Sequence, residues 1–356
     1  MNLSKLQQKI INDDNDVIFV EAAAASGKTA LIIDKIKKEL NETNESIVAF
    51  TFTNAAAEEM NERLGNYDSS RVFIGTIHSY CVKLLLSHGI TKALEYCEEE
   101  WFDRLFQLLK EHLECIKPIG CIICDEMQDC NEHQFEFIFD ILNAKKYFCC
   151  YDRRQSIYRW RGAHPEYIDR YADEKDAAIL SLNENYRNAQ KILTFAKNII
   201  ATLGYDYLDT STAMRKEEGY VSPSFDYNPL AVARTFAKMP EGFGNWFILT
   251  RTNAQLDEIA EALKKYNVPY DTFKRAELSN KELNKKMKED TVKVLTIHSA
   301  KGLEADNVIV IGAKFFNLEE KCISYVAATR ARNKLYWAKS AKQTGIMKKN
   351  TTNWEI

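Results

Sequence analysis

EAAAASGKTALI (Glu21–Ile32) carries the strongest single indication of how this chain folds. It follows the apolar run Val17–Val20, which is typical of a short buried strand, and it leads into an amphipathic helical pattern. A strand, a loop ending in Gly27-Lys28-Thr29 and a helix are the context of a phosphate-binding loop, in which backbone N–H groups at a helix N-terminus face an anion. The competing interpretation is an alanine-rich helix with an incidental GKT, because alanines occupy positions 22–25.

A pair of acidic residues at a second strand end separates these interpretations. The run CIICDEMQD (Cys121–Asp129) places Asp125 and Glu126 directly after an apolar strand. An aspartate there suits the shell of a Mg²⁺ ion, and a neighbouring carboxylate can orient and deprotonate an attacking water. Two solvated acids at a strand end are the alternative. Together with the GKT loop, the pair favours a nucleotide site with Lys28 on the phosphates and Thr29 on the metal.

Apolar strands alternate with amphipathic helices in two series along the chain. This alternation predicts an α/β fold with two domains, each a parallel sheet flanked by helices, at 1–180 and 181–342. The run AAILSL (Ala177–Leu182) is assigned to the second series. We also expect a small helical insertion at 86–118 in the first domain and a polar C-terminal tail at 343–356.

Composition places few limits on function. The chain has 356 residues, a formal net charge of −3 and 46% hydrophobic residues, so any binding of a polyanion must be local. No apolar run reaches the ~18 residues needed to cross a bilayer, so we expect no membrane association. The nine cysteines lack the spacing of a disulfide framework, which favours reduced thiols in a cytoplasmic protein.

Cys121 and Cys124 have the C-x-x-C spacing of some zinc sites. Both lie on the apolar strand, where residues three apart point to opposite faces of the sheet. We therefore interpret them as small buried hydrophobic side chains rather than as metal ligands.

Ten motifs appear in a fixed order along the chain. They are LSKLQQKII (Leu3–Ile11), AAAASGKT (Ala22–Thr29), FTFTNAAAEEM (Phe50–Met60), GTIHSYCVKLL (Gly75–Leu85), DEMQD (Asp125–Asp129), DRRQSIYRWRGA (Asp152–Ala163), NENYRN (Asn183–Asn188), TRTNAQ (Thr250–Gln255), VLTIHSAKGLEADNVIV (Val294–Val310) and YVAATRARNKL (Tyr325–Leu335). In this order they closely resemble the motifs of superfamily 1 DNA helicases of the UvrD/Rep/PcrA type. The resemblance covers most of the chain and implies two RecA-like P-loop NTPase domains.

The resemblance implies an ATP site with Mg²⁺ as its metal. Gln155 is implied to sense the γ-phosphate, Arg187 and Arg330 to be arginine fingers from the second domain, and Tyr186 to stack on adenine. The residues implied to be catalytic are Lys28, Glu126, Gln155, Arg187 and Arg330. The residues implied to bind the nucleotide are Gln7, Ala25, Ser26, Gly27, Lys28, Thr29, Ala30, Tyr186, Arg187, Glu304 and Arg330. Thr29 and Asp125 are implied to bind the metal.

The resemblance also implies a track for single-stranded DNA, which proteins hold by base stacking and phosphate contacts. Tyr158 and Trp160 are two apart, so in a strand their rings would share one face. Flanking arginines argue against a core role for Trp160. For an isolated His78 or His298 a local structural role would be preferred. The residues implied to contact DNA are Phe52, Thr53, Asn54, His78, Tyr158, Trp160, Arg161, Arg251, Asn253 and His298.

Two departures from the family pattern affect what we expect. Ala23 and Ala25 stand where glycine is common, and a positive φ would cost alanine roughly 1 kcal/mol. The segments Leu86–Cys124 and Leu256–Lys293 are short where relatives carry large insertions. A near-minimal motor is therefore expected.

The expected function is ATP-driven translocation on single-stranded DNA, with helicase activity at single-strand/duplex junctions. The resemblance implies the 3′-to-5′ polarity of the family. The alternative is a nucleotide-gated ATPase subunit of a larger repair, replication or defence complex, whose protein partner supplies the missing duplex-gripping elements. A degenerate pseudo-motor is disfavoured by the intact Lys28, Glu126 and Arg330.

Overall fold

The chain divides into two compact units, Met1–Asn183 and Glu184–Ile356. The structure, a computed structural model, describes residues 3–96, 102–222, 224–273 and 285–339. The tail expected at 343–356 and part of the insertion expected at 86–118 lie outside the described residues. No helix in the described ranges is both long enough and apolar enough to cross a bilayer.

The first unit is built on a six-stranded parallel sheet. Its strands are β1 (Val17–Ala22), β2 (Ile47–Phe50), β3 (Val72–Gly75), β4 (Cys121–Cys124), β5 (Lys146–Tyr151) and β6 (Ala178–Leu182), in the order β3-β2-β4-β5-β1-β6. Its helices are α1 (Lys5–Ile11), α2 (Lys28–Glu42), α3 (Asn54–Leu64), α4 (Ile77–Ser87), α5 (Phe102–Lys110), α6 (Glu132–Glu136) and α7 (Glu166–Glu174).

Alternate residues of these strands supply the two cores of the first unit. Phe19 and Cys124 pack with α4 and α5 on one face of the sheet. Ile18, Val20 and Cys121 pack with α1 and α2 on the other face. Because every strand is parallel, all six carboxyl ends lie at one edge, and the loops after β1, β4 and β5 are neighbours there.

The assignment of Ala177–Leu182 to the second series of strands was wrong. This strand, β6, pairs in parallel with β1 along Ile18–Ala22 and completes the first sheet. The backbone N–H of Ala23 extends the pairing by donating to the Leu182 carbonyl oxygen at 3.0 Å. The strand follows a helix and is apolar, so its sequence alone did not reveal which sheet it joins.

The second unit also has a parallel sheet. Its strands are β7 (Glu184–Asn185), β8 (Thr212–Ala213), β9 (Tyr220–Val221), β10 (Phe225–Asp226), β11 (Trp246–Thr250), β12 (Tyr270–Phe273), β13 (Val292–Thr296), β14 (Ala305–Ile311) and β15 (Ala331–Lys339). The main sheet has the order β10-β15-β14-β11-β13-β12, β9 pairs with β15, and β7 pairs separately with β8. Its helices are α8 (Gln190–Ile200), α9 (Pro229–Phe236), α10 (Asn253–Lys265) and α11 (Leu318–Ala328).

Candidate functional site

The phosphate-type loop lies between β1 and α2. Gly27 is the N-cap of α2 with φ +85°, and Lys28, Thr29 and Ala30 form the first turn, whose N–H groups have no partner within the helix. Ala25 has φ +58°, a left-handed conformation that is costly for alanine. Ala23 is not among the described residues with positive φ. The loop therefore needs left-handed backbone at one of the two alanines.

Gln7 holds this loop from the side of α1. Its Nε2 donates to the Ser26 carbonyl oxygen at 3.1 Å, and its Oε1 accepts the backbone N–H of Ser4 at 2.9 Å in a capping box. Glycine suits position 27 because its φ of +85° is strained for any residue with a Cβ. Gln7 thus ties α1 to the loop, and its contact to adenine stays a prediction.

Lys28 and the two carboxylates meet at the carboxyl edge of the sheet. The Lys28 Nζ lies 2.8 Å from Glu126 Oε1. Burial opposes the lysine charge, but Glu126, Asp125 and Asp152 outweigh it, so the pKa of the Lys28 ammonium lies above its ordinary value. The lysine is therefore charged at neutral pH and able to neutralise phosphate oxygens.

The backbone at Glu126 is itself unusual. Glu126 has φ +54°, and its N–H donates to Asp125 Oδ1 at 2.9 Å. This turn directs two successive carboxylates into one site instead of to opposite sides of an extended strand. A left-handed glutamate costs about 1–2 kcal/mol, and such strain is found mainly at functional sites.

Two residues that the sequence analysis did not single out complete this edge. Asp152, which follows β5, is fully buried and accepts from Gln155 Nε2 at 2.7 Å and from Arg154 Nε at 2.5 Å. Gln128 Oε1 accepts the Asp152 N–H at 2.9 Å, and Gln128 Nε2 donates to Glu126 Oε2. Both stand inside quoted motifs, but only the tertiary contacts reveal their roles.

The residues present fit a nucleotide with its metal. Ser26 Oγ is buried in the loop, and the described residues offer it no hydrogen-bond partner, which suits a phosphate oxygen. No group of three His, Cys, Asp or Glu residues in the described chain could hold a metal by itself. Mg²⁺ commonly uses one or two protein oxygens plus substrate phosphates, and Thr29 and Asp125 would be its protein ligands here.

An aromatic surface lies beside this edge. Phe52 stacks on Tyr158 with ring centroids 4.9 Å apart, and the Arg161 guanidinium lies 6.0 Å from the Phe52 ring and 5.8 Å from the Trp160 ring. Trp160 is 66% exposed, whereas Tyr158 is only 3% exposed. Tyr158 therefore supports Phe52 from behind, and Trp160 presents the open ring.

The expectation that Tyr158 and Trp160 share one face of a strand was wrong. Arg159–Arg161 form a 3₁₀ turn, which is closed by Gly162 with φ +82°. The two rings lie 6.5 Å apart at an interplanar angle of 60°. The turn projects Trp160 outward while Tyr158 stays in the core.

A cavity at this edge brings one further predicted DNA contact of the first unit, His78, beside the aromatic surface. His78, on the first turn of α4, and Asp125 line it together with Phe52 and Arg161. Thr53 is the N-cap of α3, and its Oγ1 accepts the Ala56 N–H at 3.2 Å. Asn54 follows it and is exposed. Asp125 of the carboxylate site and Phe52 and Arg161 of the aromatic surface therefore line one cavity.

Two predicted nucleotide residues, Arg187 and Glu304, meet within the second unit. Arg187 forms an ion pair with Glu304, and its Nη1 donates to the Thr329 carbonyl oxygen at 3.2 Å. Arg332 Nη1 lies 2.7 Å from the other Glu304 oxygen. Burial opposes ionisation of Glu304, but Arg187 and Arg332 hold its pKa below the ordinary value. The sequence analysis missed Arg332 because its motif was already represented by Arg330.

Arg330 and Tyr186 have different environments. Arg330 is buried, and its guanidinium donates to the carbonyl oxygens of Val326 at 3.0 Å and Leu303 at 3.2 Å. Tyr186 is exposed, and its hydroxyl donates to Glu184 Oε2 at 2.9 Å. Tyr186 thus lies at the surface, while Arg330 braces the end of α11.

The predicted DNA residues of the second unit are not equally available. Arg251 forms a two-pronged pair with the buried Glu320, at 3.0 Å from Nε and 2.9 Å from Nη2. Asn253 is exposed at the start of α10, and His298 follows β13 and is half-buried. Arg251 is thus engaged within its own unit.

Two family models match the chain. The UvrD/REP helicase N-terminal domain matches residues 3–117 and 104–176, and the UvrD-like helicase C-terminal domain matches residues 271–342. Together these models cover more than half of the chain. The chain belongs to the UvrD/Rep helicase family.

Curated relatives of this UvrD/Rep-family chain are helicases and a Gabija protein. An ATP-dependent DNA helicase Rep from Buchnera aphidicola is 25% identical over 378 residues, 78% of this chain and 58% of that protein. Gabija protein GajB from Bacillus cereus is 30% identical over 237 residues, 53% of this chain and 47% of that protein. A probable DNA helicase from Mycoplasma pneumoniae is 24% identical over 451 residues, 94% of this chain and 83% of that protein.

The chain spans about half the length of several curated relatives that it matches, from 47% to 58% for the first two described. The predicted α/β fold is confirmed: the two units have the parallel sheets flanked by helices of the two RecA-like domains of UvrD-like helicases. The predicted membership in the UvrD/Rep/PcrA type is likewise confirmed.

The cysteines of this UvrD/Rep-family chain lie in its cores. Cys121 and Cys124 belong to different core clusters on opposite faces of the first sheet, as the strand period predicted. Burial raises the pKa of the Cys121 thiol to about 12, and the pKa of Cys124 is also raised, mainly by burial. Because the two thiols lie on opposite faces of the sheet, they cannot reach one ion together.

In this UvrD/Rep-family chain, replacing each of the two loop alanines by glycine should change the free energy of unfolding in opposite directions. We expect Ala25→Gly to raise the free energy of unfolding by about 0.5–1 kcal/mol, because left-handed alanine costs ~1–2 kcal/mol and the unfolded-state freedom of glycine offsets only part of that. Ala23→Gly should lower it by about 0.5–1 kcal/mol. Urea denaturation of both variants checks this, and equal shifts of one sign would contradict the strain at Ala25.

Proposed function

We propose that the chain is an ATP-dependent motor that translocates on single-stranded DNA and acts as a 3′-to-5′ DNA helicase. One observation carries the proposal. At the carboxyl edge of the first sheet, Lys28 pairs with Glu126, and the neighbouring Asp125 lines the same cavity as Phe52 and Arg161. When an ATP site and a DNA surface share buried elements, binding at one site can change the affinity of the other for its ligand.

The nucleotide roles follow from the side chains of the first unit. Lys28 holds the β- and γ-phosphates, the α2 N-terminus and Ser26 contact phosphate oxygens, and Thr29 and Asp125 hold Mg²⁺. When bound, the metal supplies charge neutralisation at the phosphates. Glu126 accepts the proton of the attacking water. The roles of Arg187 and Arg330 as arginine fingers stay predictions from the resemblance.

The polymer substrate is assigned from the aromatic surface. An exposed Trp160, a braced Phe52 and the nearby Arg161 offer stacking and phosphate contacts that suit unpaired bases. The free thiols of the described cysteines support action in the cytoplasm.

A second candidate is an ATPase subunit of a larger complex. It is favoured by the short segment Leu256–Lys293, which contains most of α10, all of β12 and the start of β13. Such a segment leaves little room for a duplex-gripping domain. A protein partner would then supply this function, within a larger repair, replication or defence complex.

Strand displacement separates the two candidates. Duplexes with a single-stranded 3′ or 5′ tail are mixed with the full chain, ATP and Mg²⁺. Separation of the 3′-tailed duplex alone supports a 3′-to-5′ helicase. ATP hydrolysis without separation of either duplex supports the subunit, and separation of the 5′-tailed duplex alone contradicts the proposed polarity.

Trp160→Ala should weaken binding of single-stranded DNA about 5- to 150-fold, because base stacking is worth ~1–3 kcal/mol per base. Nucleotide affinity should stay unchanged, since Trp160 lies outside the phosphate loop. Fluorescence anisotropy with a labelled oligonucleotide measures the effect. Tyr205→Ala is the matched control, because Tyr205 is an exposed aromatic residue of the second unit. Equal losses in both variants would remove Trp160 from the DNA surface.

A further inference from the structure

Gln128 bridges the carboxylate site and the segment that leads to the aromatic surface. It is 1% exposed, and it lies in a 3₁₀ turn (Met127–Asp129) directly after Glu126. Its Nε2 donates to Glu126 Oε2, and its Oε1 accepts the N–H of Asp152 at 2.9 Å. The two ends of one amide are thus fixed by groups that follow two different strands, β4 and β5.

Two hydrogen bonds join Gln128 to the segment that follows β5. Besides the contact with Asp152, Ser156 Oγ donates to the backbone carbonyl oxygen of Gln128 at 3.3 Å. Between these two anchors lies Gln155, whose Nε2 donates to Asp152 Oδ2 at 2.7 Å. Two residues after Ser156, Tyr158 stacks on Phe52. A shift of this segment would therefore move both groups that are hydrogen-bonded to Gln128, the Asp152 N–H and the Ser156 hydroxyl.

The carboxylate of Glu126 is held from both sides. Lys28 Nζ lies 2.8 Å from Oε1, and Gln128 contacts Oε2. A phosphate that draws Lys28 toward itself leaves Oε1 to a water, while Gln128 keeps the carboxylate in its orientation. The amide thus fixes the plane of the proposed base independently of the lysine.

We propose that Gln128 is a positioning residue that couples ATP hydrolysis to DNA binding. Its Nε2 orients Glu126. Its Oε1 and its backbone carbonyl oxygen accept hydrogen bonds from segment 152–161, so a displacement of that segment also displaces Gln128. A strand bound on Phe52 and Trp160 fixes that segment and, through Gln128, the carboxylate. This inference rests on the proposed function, since it assigns a coupling route within the same site.

Two substitutions separate the two ends of the amide. Gln128→Leu removes both contacts. Gln128→Glu retains an oxygen for the Asp152 N–H but loses the donor to Glu126. Both variants should lose about 100-fold in DNA-stimulated kcat, as expected when a reacting group is misplaced. The KM and Kd for ATP should change less than about two-fold, because the described hydrogen bonds of Gln128 go to Glu126, Asp152 and Ser156.

Equilibrium binding measures the coupling between the ATP site and the DNA surface. A non-hydrolysable ATP analogue should change the Kd of the wild-type chain for an oligonucleotide by about 5-fold or more. We expect this change to be lost in both Gln128→Leu and Gln128→Glu, because neither variant keeps the contact to Glu126. Gln107→Leu, on the exposed face of α5, is the matched control and should behave as the wild type. If Gln128→Leu fails to fold, the split between kcat and Kd in Gln128→Glu carries the test.

The outcomes are distinct. An unchanged kcat in both variants, a fall of ATP affinity in parallel with kcat, or an unchanged linkage in folded Gln128→Leu overturns the role of Gln128 while the proposed function stands. A wild-type chain that does not hydrolyse ATP overturns the proposed function and this inference together.

Discussion

Replacement of Glu126 by glutamine is expected to lower kcat for ATP hydrolysis by about 10²–10⁴, the usual contribution of a positioned general base. The amide keeps the size of the side chain but cannot accept the proton of the attacking water. Lys28, Ser26 and the α2 N-terminus remain in place, so the Kd for ATP should change little. Steady-state hydrolysis and equilibrium titration with a fluorescent ATP analogue measure the two quantities separately.

Glu132→Gln is the matched control for this experiment. Glu132 is an exposed acid in the same stretch of chain, and its nearest cationic partner is Arg170 at 3.5 Å on the surface. Its loss should leave kcat unchanged, because exposed ion pairs contribute ~0–1 kcal/mol. If Glu126→Gln hydrolysed ATP at nearly the wild-type rate, another group would have to be the base.

Arg187→Ala is expected to lower kcat by about 10³ or more, the range found for arginine fingers. A guanidinium is charged at every accessible pH and can fork onto two phosphate oxygens, which alanine cannot replace. Arg187 already pairs with Glu304, so its charge is oriented before any nucleotide arrives. Single-turnover hydrolysis measures the loss at the chemical step.

Arg332→Ala provides the comparison that this prediction needs. Arg332 pairs with the same carboxylate at 2.7 Å, but the resemblance gives it no contact with the nucleotide. Its removal should lower the free energy of unfolding by only ~0–1 kcal/mol, as for other exposed ion pairs. The kcat for ATP hydrolysis should change little. Similar losses in the two variants would indicate that support of Glu304, and not a finger at Arg187, explains the effect.

Much of the fold follows from the sequence because its signals are local. Apolar runs such as Val17–Ala22 and Cys121–Cys124 form buried parallel strands, and a GKT run begins a helix. The order of the motifs predicted which loops would supply phosphate and metal ligands. The edge strand Ala178–Leu182 was misassigned because pairing between strands distant in sequence is not encoded in either strand alone.

Site details depended on tertiary contacts in the same way. The 3₁₀ turn at Arg159–Arg161 buries Tyr158 and exposes Trp160, which a two-residue spacing could not reveal. Arg251 is engaged by Glu320, a residue far away in sequence. Gln128 and Asp152 were not predicted, since a buried amide and a buried carboxylate gain meaning only through their partners.

ATP hydrolysis by the full chain with and without single-stranded DNA, in the presence of Mg²⁺, tests the central claim most directly. The account predicts that DNA raises the rate strongly, and that the stimulated rate disappears in Glu126→Gln. Equal rates with and without DNA, or a stimulated rate that survives in Glu126→Gln, would contradict it.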